Sequence, residues 1–362
     1  MRILQVLPEL NSGGVERGTL DLARELVQRG HESLVISNGG RLVETLEQQG
    51  SRHIQRPVHR KSPASLAQIH PMRRLLRELA PDVVHVRSRL PAWIVWLAWR
   101  GLPVSNRPRL VSTFHGLYSV NRYSAIMARA ERIIAVSHCV AEYIETNYAV
   151  APSRIRVIPR GVDTSEFHPA EADPDWRNAL YREFPQLRDK QLVLMPGRLS
   201  RWKGQEAFLE LMQRLVQTHP QCHGVLLGDA DPGKAHYEHE LRQKAKALGV
   251  DGQVTFAGHR SDIAGFYRLA DLVCHLSSKP EPFGRTLTEA LACGAPVVAY
   301  NRGGAAESLQ SCFAEGLVPP DDLEAFQEKA QQFLGRRPTV GALDPRYTLS
   351  HQVAATLEAY QQ

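Results

Sequence analysis

Short apolar runs of strand length alternate with amphipathic helical stretches along this chain, and the alternation runs through twice. The first series reads "RILQVL" (2–7), "ESLVIS" (32–37), "PDVVHVRS" (81–88), "RLVSTFHG" (109–116) and "ERIIAVS" (131–137), and "IRVIPRGVDTSEFHP" (155–169) closes it. A glycine turn, "NSGGVER", follows the first run and leads into a helix ending at Gly30, where glycine suits a C-cap. "MRRLLREL" (72–79) reads as another helix. The second series starts at "QLVLMPGRLSRWKG" (191–204) and continues through "CHGVLLGDAD", "GQVTFAGH", "ADLVCHLSS" and "APVVAYN". Strands apolar on both faces, separated by helices, predict a doubly wound α/β fold with parallel sheets. At 362 residues the chain exceeds one comfortable core, so two such domains in tandem are expected. The expected bounds are 1–170 and 171–345, with the polar segment 170–190 as linker and a helical tail over 346–362. Ligands of such sheets bind beyond the carboxyl ends of the strands, which predicts a cleft between two facing sheets.

Composition narrows the class. The most apolar run, Ala92 to Trp99, stops at Arg100 and is far too short to span a bilayer. The chain enters a strand at once, without a signal-peptide layout, and its five cysteines (139, 222, 274, 293, 312) never form a CxxC. Reduced thiols in a cytoplasmic protein, and no zinc site, are the expectation. Residues 1–170 carry a net charge of +9 and the remainder −3. A basic half fits an anionic partner, whether phosphate, nucleic acid or membrane, or else an ordinary arginine-rich surface. It lacks the interleaved aromatics of a single-strand nucleic-acid binder. Arg52, Arg56, Arg60 and Lys61 make the densest cluster and are candidates for a membrane or acceptor contact. Trp93, Trp96 and Trp99 recur every third residue on a predicted helix, a stripe expected to pack as core rather than at a membrane interface.

Two stretches carry chemistry. In "PGRLSRWKGQE", Arg198 and Lys203 project from a loop between a buried strand and a helix, which suits a diphosphate or, equally, a solvated basic turn. It is not a Walker loop, since glycine follows the lysine. In "EPFGRTLTEALACG", Glu281 precedes a tight turn and Glu289 lies about one turn into the next helix. The open amides at that helix start suit a phosphate, and each carboxylate can accept hydrogen bonds from a diol. Glu281 and Glu289 would then grip two diols with a diphosphate between them. The bland alternative is a capping glutamate and an unrelated exposed one.

These segments together resemble the group 1 glycosyltransferases of GT-B fold, family four, whose members transfer sugars from nucleotide donors with retention. "GGVER", "TFHG", "ERIIAVS", "IPRGVDTSEFHP", "GRLSRWKG", "LLGDADPG", "VTFAGHRSDIAGFYRLADLVCHLS" and "EPFGRTLTEALACGAPVVAYNRGGAAE" carry the resemblance over nearly the whole chain. It implies two Rossmann-like domains, the first for the acceptor and the second for the donor, with the tail returning to the first. It implies that Arg198 and Lys203 bind the donor diphosphate, Glu281 the transferred sugar and Glu289 the ribose. The amides of Phe283, Gly284, Arg285, Thr286 and Leu287 would hold diphosphate and sugar. Gly13 and Gly14 would let the backbone approach the phosphates, His115 would sit beside the sugar, and Gly258, His259 and Arg260 would meet the base. Bacterial relatives of this kind build lipopolysaccharide core and related envelope glycans. That implies a UDP-sugar donor, a glycan or glycolipid acceptor, a place at the inner face of the cytoplasmic membrane, and no cofactor, metal or nucleic acid. Asp229-Ala-Asp231 imitates a metal-binding D-x-D but falls in the wrong fold for that role. Cys293 reads as a small core residue. A nucleotide-sugar epimerase of the same architecture and a non-catalytic nucleotide-sugar binder are the competing functions.

Overall fold

The computed structural model describes residues 1–11, 13–62, 65, 67–230 and 235–362. The chain forms two compact units, Met1–Arg160 with Leu349–Gln362, and Gly161–Thr348. The units divide ten residues before the expected first boundary and three after the second.

The N-terminal unit holds a seven-stranded, wholly parallel sheet in the order β3-β2-β1-β4-β5-β6-β7. Its strands are β1 (Arg2–Val6), β2 (Glu32–Ser37), β3 (Arg52–Gln55), β4 (Val83–Val86), β5 (Arg109–Phe114), β6 (Arg132–Ala135) and β7 (Ile155–Val157). The edge strand β3 was not foreseen, because in "RHIQ" only Ile54 is buried and four residues give too little pattern. The helix Gly14–Gln28 ends in paired capping bonds, Gly30 N–H to Val27 O and His31 N–H to Leu26 O, with Gly30 at φ 76°. The C-terminal helix Leu349–Gln361 belongs to this unit, and its Val353, Ala359 and Tyr360 join Ile3, Leu22, Val111 and Ile134 in one core cluster. Inside it, His85 is bonded through Nδ1 to the Tyr360 hydroxyl (2.7 Å) and through Nε2 to Thr113 Oγ1 (2.6 Å).

The C-terminal unit holds a six-stranded parallel sheet, β10-β9-β8-β11-β12-β13. The strands are β8 (Gln191–Pro196), β9 (Cys222–Leu227), β10 (Val254–Gly258), β11 (Leu272–His275), β12 (Val297–Tyr300) and β13 (Leu317–Val318). Segment 170–190 is no linker but part of this unit. Asp173 caps the helix Pro174–Glu183 by accepting from the amides of Asp175 and Trp176, with proline at the first helical position. Leu180 and Leu187 are buried in the core, and the Trp176 ring N–H donates to Asp262 at 2.7 Å. Sparse apolar residues in a polar segment hid an amphipathic helix that needs only two anchors.

The tryptophan stripe is not core. Ile94, Val95 and Ala98 are the buried face of the helix Arg89–Arg100, while Trp93, Trp96 and Trp99 are half-buried beside it. Their ring N–H groups explain the position: Trp93 donates to Tyr123 O and Trp99 to Pro108 O. Arg100 and Arg107 lie over the Trp96 and Trp99 rings. Cys293 is 5% exposed, and burial pushes its thiol up to about 12.

Candidate active site

In each sheet the chain reverses its winding beside the first strand, between β1 and β4 and between β8 and β11, and Gly13, Gly14, Arg198, Lys203 and Glu281 lie in the segments that follow β1, β8 and β11.

In the C-terminal unit the loop after β8 carries Arg198, exposed, and a 3-10 turn Arg201–Lys203. That turn is fixed by Gly204, at φ 90°, where a Cβ would stand 2.1 Å from the Leu276 carbonyl oxygen. The Ser278 amide donates to Trp202 O at 2.8 Å, tying the turn to the segment after β11. Lys203 is thereby brought to Glu281, with Nζ 2.7 Å from Oε1. The same carboxylate oxygen accepts from His275 Nε2 at 2.7 Å and from the Ser277 hydroxyl. Glu281 is 7% exposed. Burial alone would raise its carboxyl, but the His275 ring and the Lys203 ammonium more than offset that and hold it well below the usual carboxylate range. The Glu281 backbone is clamped too. Its carbonyl accepts from Gly304 N–H at 2.8 Å, and a Cβ on Gly303 (φ 65°) would stand 2.8 Å from that carbonyl. His275, Ser277, Gly303 and Gly304 were missed as site residues. The signal was present in "CHLSS", where polar residues end a buried strand six and four positions before Glu281.

The helix Arg285–Ala292 starts at Gly284, which has no side-chain cap. Leu287 and Thr288 N–H already donate to Gly284 O, at 3.0 and 3.3 Å. Leu287 is therefore removed from the amides that can meet a ligand, and its side chain is core. Phe283, Gly284, Arg285 and Thr286 remain at the helix start, with the Phe283 ring buried against Tyr347. Glu289 is 7% exposed and accepts from Arg285 Nε at 2.7 Å, one turn earlier. Unlike Glu281, it lies beside a tyrosine, Tyr267, whose hydroxyl burial pushes well above its ordinary range.

Asp229 orders the loop after β10. Its Oδ1 accepts from the His259 amide at 2.9 Å, and Gly258 takes φ 68° beside it. Asp229 thus has a structural role in this loop; Asp231, the other carboxylate of the D-x-D, lies outside the described residues. The Arg260 side chain is engaged with Glu183 at 2.9 Å and Asp262 at 2.8 Å, while the His259 side chain is exposed.

In the N-terminal unit, Gly13 (φ 145°) and Gly14 lie at the turn after β1 and His115 directly follows β5. Arg160 joins them. Its Nη1 donates to Gly14 O at 2.9 Å and its Nη2 to His115 Nδ1 at 3.0 Å. His115 Nε2 is buried without a partner. Burial, then the charges of Arg160 and Arg87 and the neighbouring His85, keep the ring's pKa well below the ordinary histidine value. Arg87 is 4% exposed, donates to Gln5 Oε1 and is pushed down to about 10 by burial. Arg160 stands in the quoted "IPRGVD", but only the fold shows what it touches.

The basic cluster does not act as four equal charges. Arg52 is exposed on the edge strand β3, Arg56 is half-buried and donates to Gln55 O, and Arg60 is exposed. Lys61 lies over the Tyr123 ring at 4.7 Å.

Two family models match, "Glycosyltransferase Family 4" over residues 12–166 and "Glycosyl transferases group 1" over 179–343. A lipopolysaccharide core biosynthesis mannosyltransferase of Rhizobium meliloti is 28% identical over 219 residues, 60% of this chain and 59% of that protein. A crystal structure of a glycosyltransferase from Rickettsia africae has a TM-score of 0.84 at 28% identity, covering 99% of this chain and 97% of that one. The Anabaena HepE protein in complex with UDP-glucose has a TM-score of 0.75 at 26% identity, covering 100% and 95%. Two parallel Rossmann-like sheets, the anchored Glu281 and the matches to both halves lead to one conclusion: the chain belongs to the group 1 glycosyltransferases of GT-B fold, and resembles the enzymes of lipopolysaccharide core assembly.

Proposed function

We propose that this protein transfers a sugar from a UDP-sugar to a glycan or glycolipid acceptor, with retention at the anomeric carbon, in assembly of lipopolysaccharide core or a related envelope glycan. The anchoring of Glu281 carries the reading: three donors converge on one oxygen and leave the other for sugar hydroxyls. Arg198, Lys203 and the amides from Phe283 to Thr286 would meet the charge that grows on the leaving diphosphate. Those groups would supply positive charge and donors of the kind a metal can supply, so the reading calls for no cofactor. Glu289 would take the ribose diol. His115, neutral and with one ring nitrogen unpartnered, would donate to the sugar. Attack from the face of the leaving group, with the departing phosphate taking the acceptor proton, needs no enzyme nucleophile. The HepE complex supports UDP-glucose as donor, and the Rhizobium relative supports lipopolysaccharide core as acceptor but names mannose as the sugar.

The test is nucleoside diphosphate release (UDP or GDP) from a panel of UDP- and GDP-sugars, with and without a truncated lipopolysaccharide core acceptor. Acceptor-dependent release with an α-to-α product by NMR supports the proposal. Release of free sugar without acceptor would favour an epimerase or hydrolase, and binding without release a non-catalytic role. No helix among the described residues is long and apolar enough to cross a membrane. A lipid-linked acceptor would be met at the bilayer surface, inside the cell, by the basic N-terminal unit. Arg52, Arg56, Arg60 and Lys61 would add up to about 1 kcal/mol each on anionic lipid. Equal co-sedimentation of wild type and a fourfold serine variant with anionic vesicles would overturn that part.

A further inference from the structure

The contact between Arg160 and His115 fixes more than a position. A guanidinium has donors only, so its 3.0 Å bond to His115 Nδ1 requires that nitrogen to be the acceptor. The ring proton must then lie on Nε2, the nitrogen that is buried with no partner. The second arm of the same guanidinium holds Gly14 O at 2.9 Å, and a Cβ on Gly14 would fall 2.6 Å from Arg160 Nη1. A side chain at 14 would therefore displace the guanidinium from its present position. Arg160 also follows β7 closely, His115 follows β5 and Gly14 lies after β1, so one side chain couples three strand ends of the same sheet.

We infer that Arg160 is a positioning residue, which sets His115 as the Nε2–H tautomer and keeps the ring from becoming a cation while it donates to the transferred sugar. The inference rests on the proposed place of His115 beside that sugar. An imidazolium at this point would put positive charge beside an anomeric carbon that itself turns positive as the leaving group departs. A neutral N–H donor orients a sugar hydroxyl without that cost. The two permanent charges that act on His115 agree in sign. Arg160 and Arg87 are cations, His85 is a buried imidazole held by Tyr360 and Thr113, and the Tyr118 hydroxyl accepts from the His115 amide. Glu16 is the nearby carboxylate on the Gly14–Gln28 helix; burial raises its pKa, opposed by Arg160 and Arg87.

Two readouts test this. Imidazole nitrogen NMR, with His115→Gln to assign the signal, should show His115 as Nε2–H with Nδ1 unprotonated down to pH 5.5. In Arg160→Met the ring should titrate nearer the ordinary value of about 6.5, giving an acid limb in kcat with up to about a tenfold loss at pH 5.5 and near recovery at pH 7.5. Arg160→Gln, which keeps a donor without the charge, should retain the tautomer and lose only part of the pH resistance. The double variant Arg160→Met/His115→Gln should match His115→Gln at every pH. A wild-type His115 protonated on Nδ1, or a loss in Arg160→Met that is uniform with pH and additive with His115→Gln, would overturn the inference and leave Arg160 a structural prop. The NMR result does not need turnover, so failure of the transferase reading and failure of this one are separable.

Discussion

The two sheet edges handle charge in opposite ways. In the C-terminal unit the charges are already paired: Glu281 with Lys203 and His275, and Glu289 with Arg285. In the N-terminal unit the clustered groups are cations and neutral rings, with Arg87 and His85 buried, Arg160 and His115 half-buried, and Glu16 the half-buried carboxylate among them. Under the proposed function, the first arrangement presents pre-oriented partners that a diphosphate and a sugar would redistribute. The second presents donors whose counter-charge the substrate would bring. One unit is therefore most sensitive to loss of a partner, and the other to loss of neutrality.

The sharpest break comes from removing one partner of a buried pair. Lys203→Met leaves the Glu281 carboxylate buried beside His275, and should cost the C-terminal unit roughly 3–5 kcal/mol. The double variant Lys203→Met/Glu281→Gln should recover much of this in urea unfolding. Equal losses in single and double variants would show that the pair is not coupled.

Acid should act more strongly on the other unit. His85 and His115 have pKa values depressed in the fold, so the unfolded chain takes up protons that the native state refuses. Their stabilising contribution is complete above the unfolded value of about 6.5 and falls as pH drops below it, by up to about 3 kcal/mol per pH unit for the pair. His223, lowered to about 4, gives the C-terminal unit one such group. Hydrogen exchange resolved by unit at pH 7, 6 and 5 should show the N-terminal unit loosening first; a larger loss in the C-terminal unit would reverse the comparison.

The glycines offer a smaller contrast. A Cβ on Gly204 meets backbone at 2.1 Å, whereas a Cβ on Gly13 meets the flexible end of Glu16 at 2.4 Å. Both positions strain alanine through φ, but only the first also has an immovable wall. Gly204→Ala should cost about 2–3 kcal/mol and Gly13→Ala about 1 kcal/mol by thermal unfolding. Equal costs would mean that the wall yields.

A binding effect of similar size separates the two glutamates. Glu289→Gln should weaken bare UDP by about 1.5 kcal/mol, while Glu281→Gln should leave UDP affinity nearly unchanged and lower turnover of the full donor. Calorimetry showing equal weakening in both would break the assignment of two different diols.

The strands of both sheets, the glycine turn and the spacing of Glu281 and Glu289 were legible because each is local. A buried parallel strand announces itself by a continuous apolar run, and a helix start by the turn before it. The helix at 174–183, the strand at 52–55 and the two-residue strand β13 were not, since their few buried anchors make no periodic signal. The sequence by itself determined two doubly wound units and the order of their loops. Only the tertiary structure decided that Leu287 spends its amide inside its own helix, that His275 and Ser277 fold back onto Glu281, and that Arg160 meets His115 across 45 residues of chain. Sequence spacing sets which residues reach a sheet edge. Which of them touch depends on strand order, because in a parallel sheet neighbours at an edge come from segments that are distant along the chain.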